Sequence, residues 1–456
     1  MELNELTAIS ALDGRYWRDV QQASEYFSDY ALIRGRVTIE VEYLIALSED
    51  GITEPLYEGQ KKALRNVYRN LTHEDARRVN VLERQTDHDV QAIIYFLKEK
   101  GVLPDERKDE VHLGLTSEDP TNIAYSVAWT KAVNELYLPT LDSVVVSLTQ
   151  KAGEYKSVPM LGRTHGRPAS PTTVGKEFAN FAYRLGDARD GVKYVKMPGK
   201  LNGAVGNYNA LVAAYPHVDW IGFTRRFVEK FGLEPYFMTT QILPHDRISK
   251  LMREIVGVNQ IVWSMDDDME RYISDDWFLQ RVIEGQTGSS TMPQKVNPRF
   301  FENSRGNLEF ANWVFTGMAD KLQKSKLQRD LSDSTIKRNY GVPFAHTILG
   351  YKMALTNLGR VYTGAEYTTQ ALTDHPEIIS EAIQTILKRE CVPDAYEMMR
   401  NFVRGKQVTL EDLHSFVDGL DIPEEVKQEI KNVTPLNYLG NAERLTEMFV
   451  KGEFNS

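Results

Sequence analysis

A single cysteine, Cys391, stands among 456 residues, so no disulfide can form within the chain and a reducing compartment, the cytoplasm, is expected. No apolar run approaches the ~20 residues that a membrane span needs, and the opening Met1-Glu2-Leu3-Asn4-Glu5-Leu6 has neither the basic nor the apolar region of a signal peptide. Basic excess is missing too. The net charge of −10 disfavours general binding to nucleic acid or anionic membranes, but leaves room for a locally basic pocket that takes a small anion. The nine histidines form no HExxH pattern, and one cysteine excludes a cysteine cage, so no metal is expected. With neither a Walker loop nor a GxGxxG, nucleoside triphosphates and dinucleotides have no support, and no cofactor is expected.

What the chain does have is helix. Hydrophobic content of 42% with 26% charged residues is ordinary for a globular protein, and 456 residues exceed the size of one core, so two or three domains are expected. From Asp246 to Glu284 there is no proline and one glycine, Gly257, and Ile248, Leu251, Met252, Ile255, Ile261, Val262 and Met265 recur at helical spacing. About 39 residues at ~1.5 Å each would reach close to 60 Å. Asn122 to Lys156 reads as a second long helix, through Ala124, Val127, Ala128, Ala132, Val133 and Leu136, with Pro139 as a kink. Phe300 to Gln328 reads as a third, through Leu308, Phe310, Ala311, Val314 and Phe315. Strand signals are few, and Val158-Pro159-Met160-Leu161 is too brief to build a sheet. The expected fold class is all-α, a long-helix bundle, with segments 1–110, 111–364 and 365–456 as three helical domains.

Polar groups concentrate where this periodicity fails. Gly288-Ser289-Ser290-Thr291-Met292-Pro293-Gln294-Lys295-Val296-Asn297-Pro298 holds hydroxyls, an ammonium and a carboxamide in a stretch that Gly285 and Gly288 loosen and two prolines keep from being helical. A polar lid carrying a base, Ser289, and an anion clamp, Lys295 with Asn297, is one reading; a solvated connector is the other. Thr86-Asp87-His88-Asp89 precedes a helical pattern, a polar cluster for which Asp87 as a plain helix cap is the simplest alternative to a functional role. Thr116 and Ser117, in His112 to Asp119, open another helix with hydroxyls and N–H groups suited to a carboxylate or phosphate. His165 lies in a glycine-flanked turn between Arg163 and Arg167, available as acid or base near neutrality. Arg329 and Arg338 bracket Ser332, Ser334 and Thr335, a phosphate clamp or a solvated charged turn.

Taken in this order, the segments resemble one family. Gly288 to Pro298 is similar to the signature of the fumarase/aspartase lyase superfamily. The companions Asp13-Gly14-Arg15-Tyr16, Thr86 to Asp89, Thr116 to Asp119, Arg163 to Gly166, Lys200 to Asn209, Thr240-Gln241 and Arg329 to Arg338 resemble the bacterial-type adenylosuccinate lyases. The resemblance runs from Asp13 to about Tyr438. It implies three helical domains whose central helices build a multi-subunit helical core in a homotetramer, with active sites shared between subunits.

The resemblance also implies β-elimination of fumarate from adenylosuccinate, leaving AMP, and from succinylaminoimidazole carboxamide ribotide. A base takes the carbon-bound proton beside a carboxylate, the aci-carboxylate dianion needs electrophilic donors, and an acid protonates the departing nitrogen. Ser289 is the implied base and His165 the implied acid, with Lys295 and Asn297 as donors. His88, beside Asp89, would support the chemistry or the phosphate side. Arg15, Tyr16, Arg329, Ser334 and Arg338 would hold the phosphate, and Thr116, Ser117 and Gln241 the succinyl carboxylates. Asp87, Ser290, Val296, Asn303 and Thr335 complete the implied substrate-binding set. Position 87 departs from the family pattern, holding Asp where many relatives have Asn, and Gln294 replaces a common histidine. The alternatives are a sister lyase of the argininosuccinate, fumarase or aspartase type, for which the phosphate clamp would have no purpose, and an inactive structural homologue, for which His165 and Ser289 would have none.

Overall fold

A computed structural model describes residues 4–101 and 103–454. With 63% of the chain helical and 5% in strands, the fold is all-α. No helix among the described residues is long and apolar enough to cross a membrane.

The chain divides into two compact units, each built from separated segments. The first comprises 1–141, 188–260 and 306–351, the second 142–187, 261–305 and 352–456. Every crossing falls inside a long helix: Leu138–Glu154, Val174–Lys193, Asp246–Ser274, Arg299–Leu322 and Gly341–Leu358.

The first unit starts around the helix Asp29–Glu49, opened by the Ser28 hydroxyl accepting the Ala31 N–H. This helix buries side chains all round, and Ile33, Val37, Val41, Leu44 and Ile45 join Leu64, Val79, Leu82, Ile93 and Phe96 in one apolar cluster. Farther along, Trp129 packs edge-on against Tyr340 and Phe344. A buried polar chain crosses the same unit: Tyr351 donates to Asn259 at 2.7 Å, and Asn259 donates to Asn312 and Thr347. Being fully satisfied, it fixes helix register instead of costing stability.

The helix expected over 122–156 is Glu118–Ala132 and Leu138–Glu154, joined by a π-helical turn, Val133–Tyr137. Pro139 has no N–H for the Glu135 carbonyl and its ring crowds that oxygen; the wider turn relieves both. Asp246–Ser274 is shorter than the expected 246–284. Asp276 takes φ 58° and the Trp277 N–H returns to the Tyr272 carbonyl at 2.9 Å, closing the helix in a left-handed cap. Arg299–Leu322 likewise stops short of Gln328.

In the second unit the expectation of no sheet fails locally. Strands β1 (Pro159–Thr164) and β2 (Arg167–Thr173) form an antiparallel hairpin. Pro159 opens its strand, where a missing ladder donor is tolerated. Gly162 sits at a bulge, where an added Cβ would lie 2.3 Å from the Ser170 carbonyl oxygen. In the same unit Phe278–Gln280 pairs with Val361–Thr363, and Tyr272 and Phe178 pack on Phe278.

Candidate active site

The first unit gathers much of the candidate set. Asp87, His88, Asp89, Ser117, Arg329, Ser334, Thr335 and Arg338 line one cavity of about 510 Å³, together with Arg36, Glu118, Tyr125 and Lys337. Helix ends do the positioning. Asp87 is not the cap: it takes φ 53° at the end of His73–Thr86, and His88 caps Asp89–Glu99 by accepting the Gln91 N–H on Nδ1 at 3.1 Å. That left-handed position suits Asn and Asp alike, which accounts for the substitution at 87. An accepting Nδ1 leaves the proton on Nε2, which lies 3.4 Å from the Ser117 hydroxyl.

Two carboxylates in this cavity each receive two cations. Asp89 receives Arg36 at 2.7 Å and Arg338 at 3.1 Å. Burial works to raise its carboxyl, but these cations and the Val90 N–H hold it below the usual range. Glu118, fully buried, receives Lys337 at 3.1 Å and Arg329 at 3.5 Å. Lys337 also reaches Asp333 at 2.9 Å. Burial would lower this ammonium, yet the two carboxylates raise it overall. Glu118, His245 and Asp333 bring ligand-type atoms within 4.8 Å of one another, a spacing that fits a cation, and Lys337 supplies that positive charge. Burial, with Lys337 beside it, lowers the His245 imidazole to about 4, so it is neutral.

The remaining first-unit candidates surround these pairs. The Thr116 N–H is not open to a ligand, because Asp119 accepts it at 2.8 Å. Gln241 accepts from Arg329 at 3.4 Å. Arg15 is exposed, with its guanidinium 5.9 Å from the Tyr16 ring centre. Arg36 has no signal in the sequence, because it sits in a stretch that reads as plain helix, and Glu118 and Lys337 lie within the polar segments at 112–119 and 329–338 without a role assigned to them.

The second unit holds His165 and the Gly288–Pro298 stretch. Thr164 pairs with Arg167, so His165 and Gly166 are the whole hairpin turn, with φ 54° and 74°. Two positive φ values make a type I′ turn, whose twist matches the strands and which projects the imidazole at an exposed tip. Arg163 braces it, donating to the Gly166 carbonyl at 3.3 Å, pairing with Asp275 at 3.1 Å and lying over the Trp277 ring. The His-Gly dipeptide between short runs was the available signal for this turn.

Residues 281–298 carry no regular structure and are largely exposed, but the segment is internally bonded. The Ser289 Oγ accepts the N–H groups of Thr291 at 3.1 Å and Met292 at 2.9 Å. The Asn297 carboxamide donates to the Gly288 carbonyl at 2.6 Å, closing a ring of chain. Gly288 is required there, since an added Cβ would lie 1.9 Å from the Lys295 carbonyl oxygen. Ser290, Lys295 and Val296 are exposed on the same loop, and Asn303 is exposed on Arg299–Leu322. The amide pair of Thr291 and Met292 was invisible in the sequence, because backbone donors have no side-chain signature.

Comparison with known proteins extends this picture. The Lyase family profile matches residues 14–309, and the profile of the adenylosuccinate lyase C-terminal region matches 325–439. The chain is 41% identical over 455 residues to the adenylosuccinate lyase of Dictyostelium discoideum, covering 96% of this chain and 98% of that one. It is 41% identical over 453 residues to that of Haemophilus influenzae, covering 98% and 99%. Among solved structures, a fumarate lyase from Mesorhizobium sp. BNC1 superposes with a TM-score of 0.76 at 18% identity, covering 95% of this chain and 98% of that one. The 3-carboxy-cis,cis-muconate lactonizing enzyme of Pseudomonas putida does so with 0.76 at 16%, covering 96% and 98%. At such identities these two bear on the fold alone.

Proposed function

The chain belongs to the adenylosuccinate lyase family, and from that premise we propose how its own residues divide the work. It is a C–N lyase that releases fumarate from adenylosuccinate and leaves AMP. In the proposed scheme Ser289 is the base, His165 the acid, and Lys295 with Asn297 the donors to the aci-carboxylate. Arg15, Tyr16, Arg329, Ser334 and Arg338 hold the phosphate, while Thr116, Ser117 and Gln241 hold the succinyl carboxylates. The succinylated imidazole ribotide is taken by the same groups, since it carries the same phosphate and succinyl ends.

The observation that carries this scheme is the setting of Ser289. A serine hydroxyl is a poor base at its free pKa: its own proton must first pass to solvent, and the alkoxide left behind must be stabilised before it can take a carbon-bound proton. Two amide N–H groups aimed at Oγ do this, because hydrogen bonds to the charged form favour it. They are supplied by the loop's own chain, so the base carries its stabilising donors wherever the loop moves. Loss of the proton from carbon then places charge on the carboxylate, which Lys295 and Asn297 on that loop are suited to meet. The nitrogen leaves as His165 protonates it.

A cytoplasmic homotetramer with active sites shared between subunits belongs to the same reading. It is supported by motifs dispersed along the chain and by large apolar side chains left exposed on the Arg299–Leu322 helix, Trp313 at 66% and Phe310 at 41%. The three-domain division at residues 110 and 364 is part of it. The test is an ultraviolet assay of adenylosuccinate disappearance with Ser289→Ala and His165→Ala. Each should lose turnover by about 10²-fold or more with helicity and assembly unchanged, and mixing the two inactive variants should restore some activity. Near-normal kcat in either variant would remove its assigned role; no recovery on mixing would remove shared sites.

A further inference from the structure

Three stretches of the sequence, 112–119, 200–209 and 240–241, meet on one buried ion pair. Lys200 and Asp119 are both fully buried, at 0% exposure, with Nζ 2.9 Å from Oδ1. Among the described residues, the other hydrogen bonds of the two side chains are to backbone. Asp119 accepts the N–H groups of Thr116 at 2.8 Å, Asn202 at 3.2 Å and Gly203 at 3.2 Å. Lys200 donates to the carbonyls of Gly203 at 3.0 Å and Gln241 at 2.8 Å. One turn along the same helix, Asn122 grips the Lys200 peptide from both sides, accepting its N–H at 2.9 Å and donating to its carbonyl at 3.0 Å.

Burying two full charges is a costly way to hold helices together, and apolar residues of similar size do that as well or better. A buried pair is justified where it must hold polar chain that has no periodic ladder of its own, and these partners are turns. Their conformations are demanding: Gly203 has φ 81°, and a Cβ at Gly206 would lie 2.4 Å from the Thr239 carbonyl oxygen. The turns so held carry Thr116 and Ser117 at the Asp119 end of the pair and Gln241 at the Lys200 end.

We propose that Lys200 and Asp119 are the positioning residues of the dicarboxylate subsite, setting the Thr116 turn and Gln241 at the spacing that a four-carbon dicarboxylate requires. The pair touches no substrate; it acts through the chain it holds. The inference rests on the assignment of Thr116, Ser117 and Gln241 to the succinyl carboxylates.

The test compares product inhibition by fumarate, which reads this subsite, with inhibition by AMP, which reads the ribotide end. Lys200→Met alone strands the Asp119 charge and could prevent folding, so the decisive protein is the double variant Lys200→Met/Asp119→Asn, which removes both charges. Its fumarate inhibition constant should rise by about tenfold to a hundredfold, the scale of a misplaced binding group, while its AMP constant stays within about twofold of the parent's. Unchanged fumarate inhibition overturns the proposal, and so does parallel loss of fumarate and AMP, or failure to assemble, which marks a general structural role. Thr116→Ala and Gln241→Ala serve as the control on the premise. If both bind fumarate as the parent does, the carboxylate assignment itself falls; if they weaken it while the double variant does not, only the positioning role falls.

Discussion

The Nε2 atom of His88 faces the Ser117 hydroxyl at 3.4 Å because its Nδ1 is held by the Gln91 amide as the cap of the following helix. One ring thus does two jobs, and they separate by mutation. Asn is a good cap but does not reproduce Nε2. His88→Asn should therefore leave thermal stability near that of the parent while lowering kcat by about tenfold. His88→Ala should add a loss of ~1 kcal/mol from the missing cap. Thermal scans with steady-state kinetics check this; equal activity in His88→Asn and the parent would reduce His88 to a cap.

The phosphate side makes a different demand. Arg338 is shared with Asp89 and Arg329 with Glu118, so each guanidinium is already oriented by a carboxylate. Arg329→Ala or Arg338→Ala should raise KM more than it lowers kcat, because the phosphate is remote from the bond that breaks. A substrate analogue without the phosphate should be poor with the parent and hardly worse with these variants. Variants that still reject the analogue as strongly as the parent would put the clamp elsewhere.

For the loop, the expectation is closure over substrate. Amide exchange and limited proteolysis across 286–297 should both slow when AMP and fumarate are bound. Lys295→Ala should impair the chemical step at a cost of ~3 kcal/mol if its ammonium meets the aci-carboxylate. Equal protection with and without ligand would mean a preformed loop.

A pH dependence follows from His112, whose Nδ1 lies 2.6 Å from the fully buried Glu40. Burial works to lower this imidazole, but Glu40, with a smaller contribution from Asp119, raises it above its usual value. A raised folded-state value stabilises the fold fully below the unfolded value near 6.5, and that contribution is lost as pH rises through the folded one. Glu40→Gln should therefore lower the apparent Tm more at pH 6 than at pH 9. The loss at pH 6 should correspond to about 1–3 kcal/mol. A pH-independent difference would show that His112 does not change protonation on folding.

The long helices and the polar segments between them were legible because apolar spacing and its interruption are local properties. Helix ends were less so. Asp276 closes its helix in a conformation usually marked by Gly, and nothing in the Asp275-Asp276 pair announces a stop. The hairpin around His165 was obscured by Pro159, Pro168 and Pro171, which argue against strands everywhere except at an edge or first position. In the candidate site, groups on irregular chain, such as His88 and Arg329, were visible. Arg36 was not, and the buried pairing of Glu118 with Lys337 was not, since a charged residue within a helix has the same sequence signature whether it faces water or a buried partner.

Ser289 has one more consequence. A neutral hydroxyl oxygen has two lone pairs, and both are taken up by the Thr291 and Met292 amides. What the resting loop can offer outward is the hydroxyl hydrogen. In this state the residue is closed to electrophiles, unlike the serine of a hydrolase, which keeps a lone pair aimed at an incoming carbonyl. Only when the hydrogen departs does a third pair appear, already pointed along the direction the proton left. Reactivity thus waits on loss of the hydroxyl hydrogen, and until then the half-buried serine can sit beside water without being acylated.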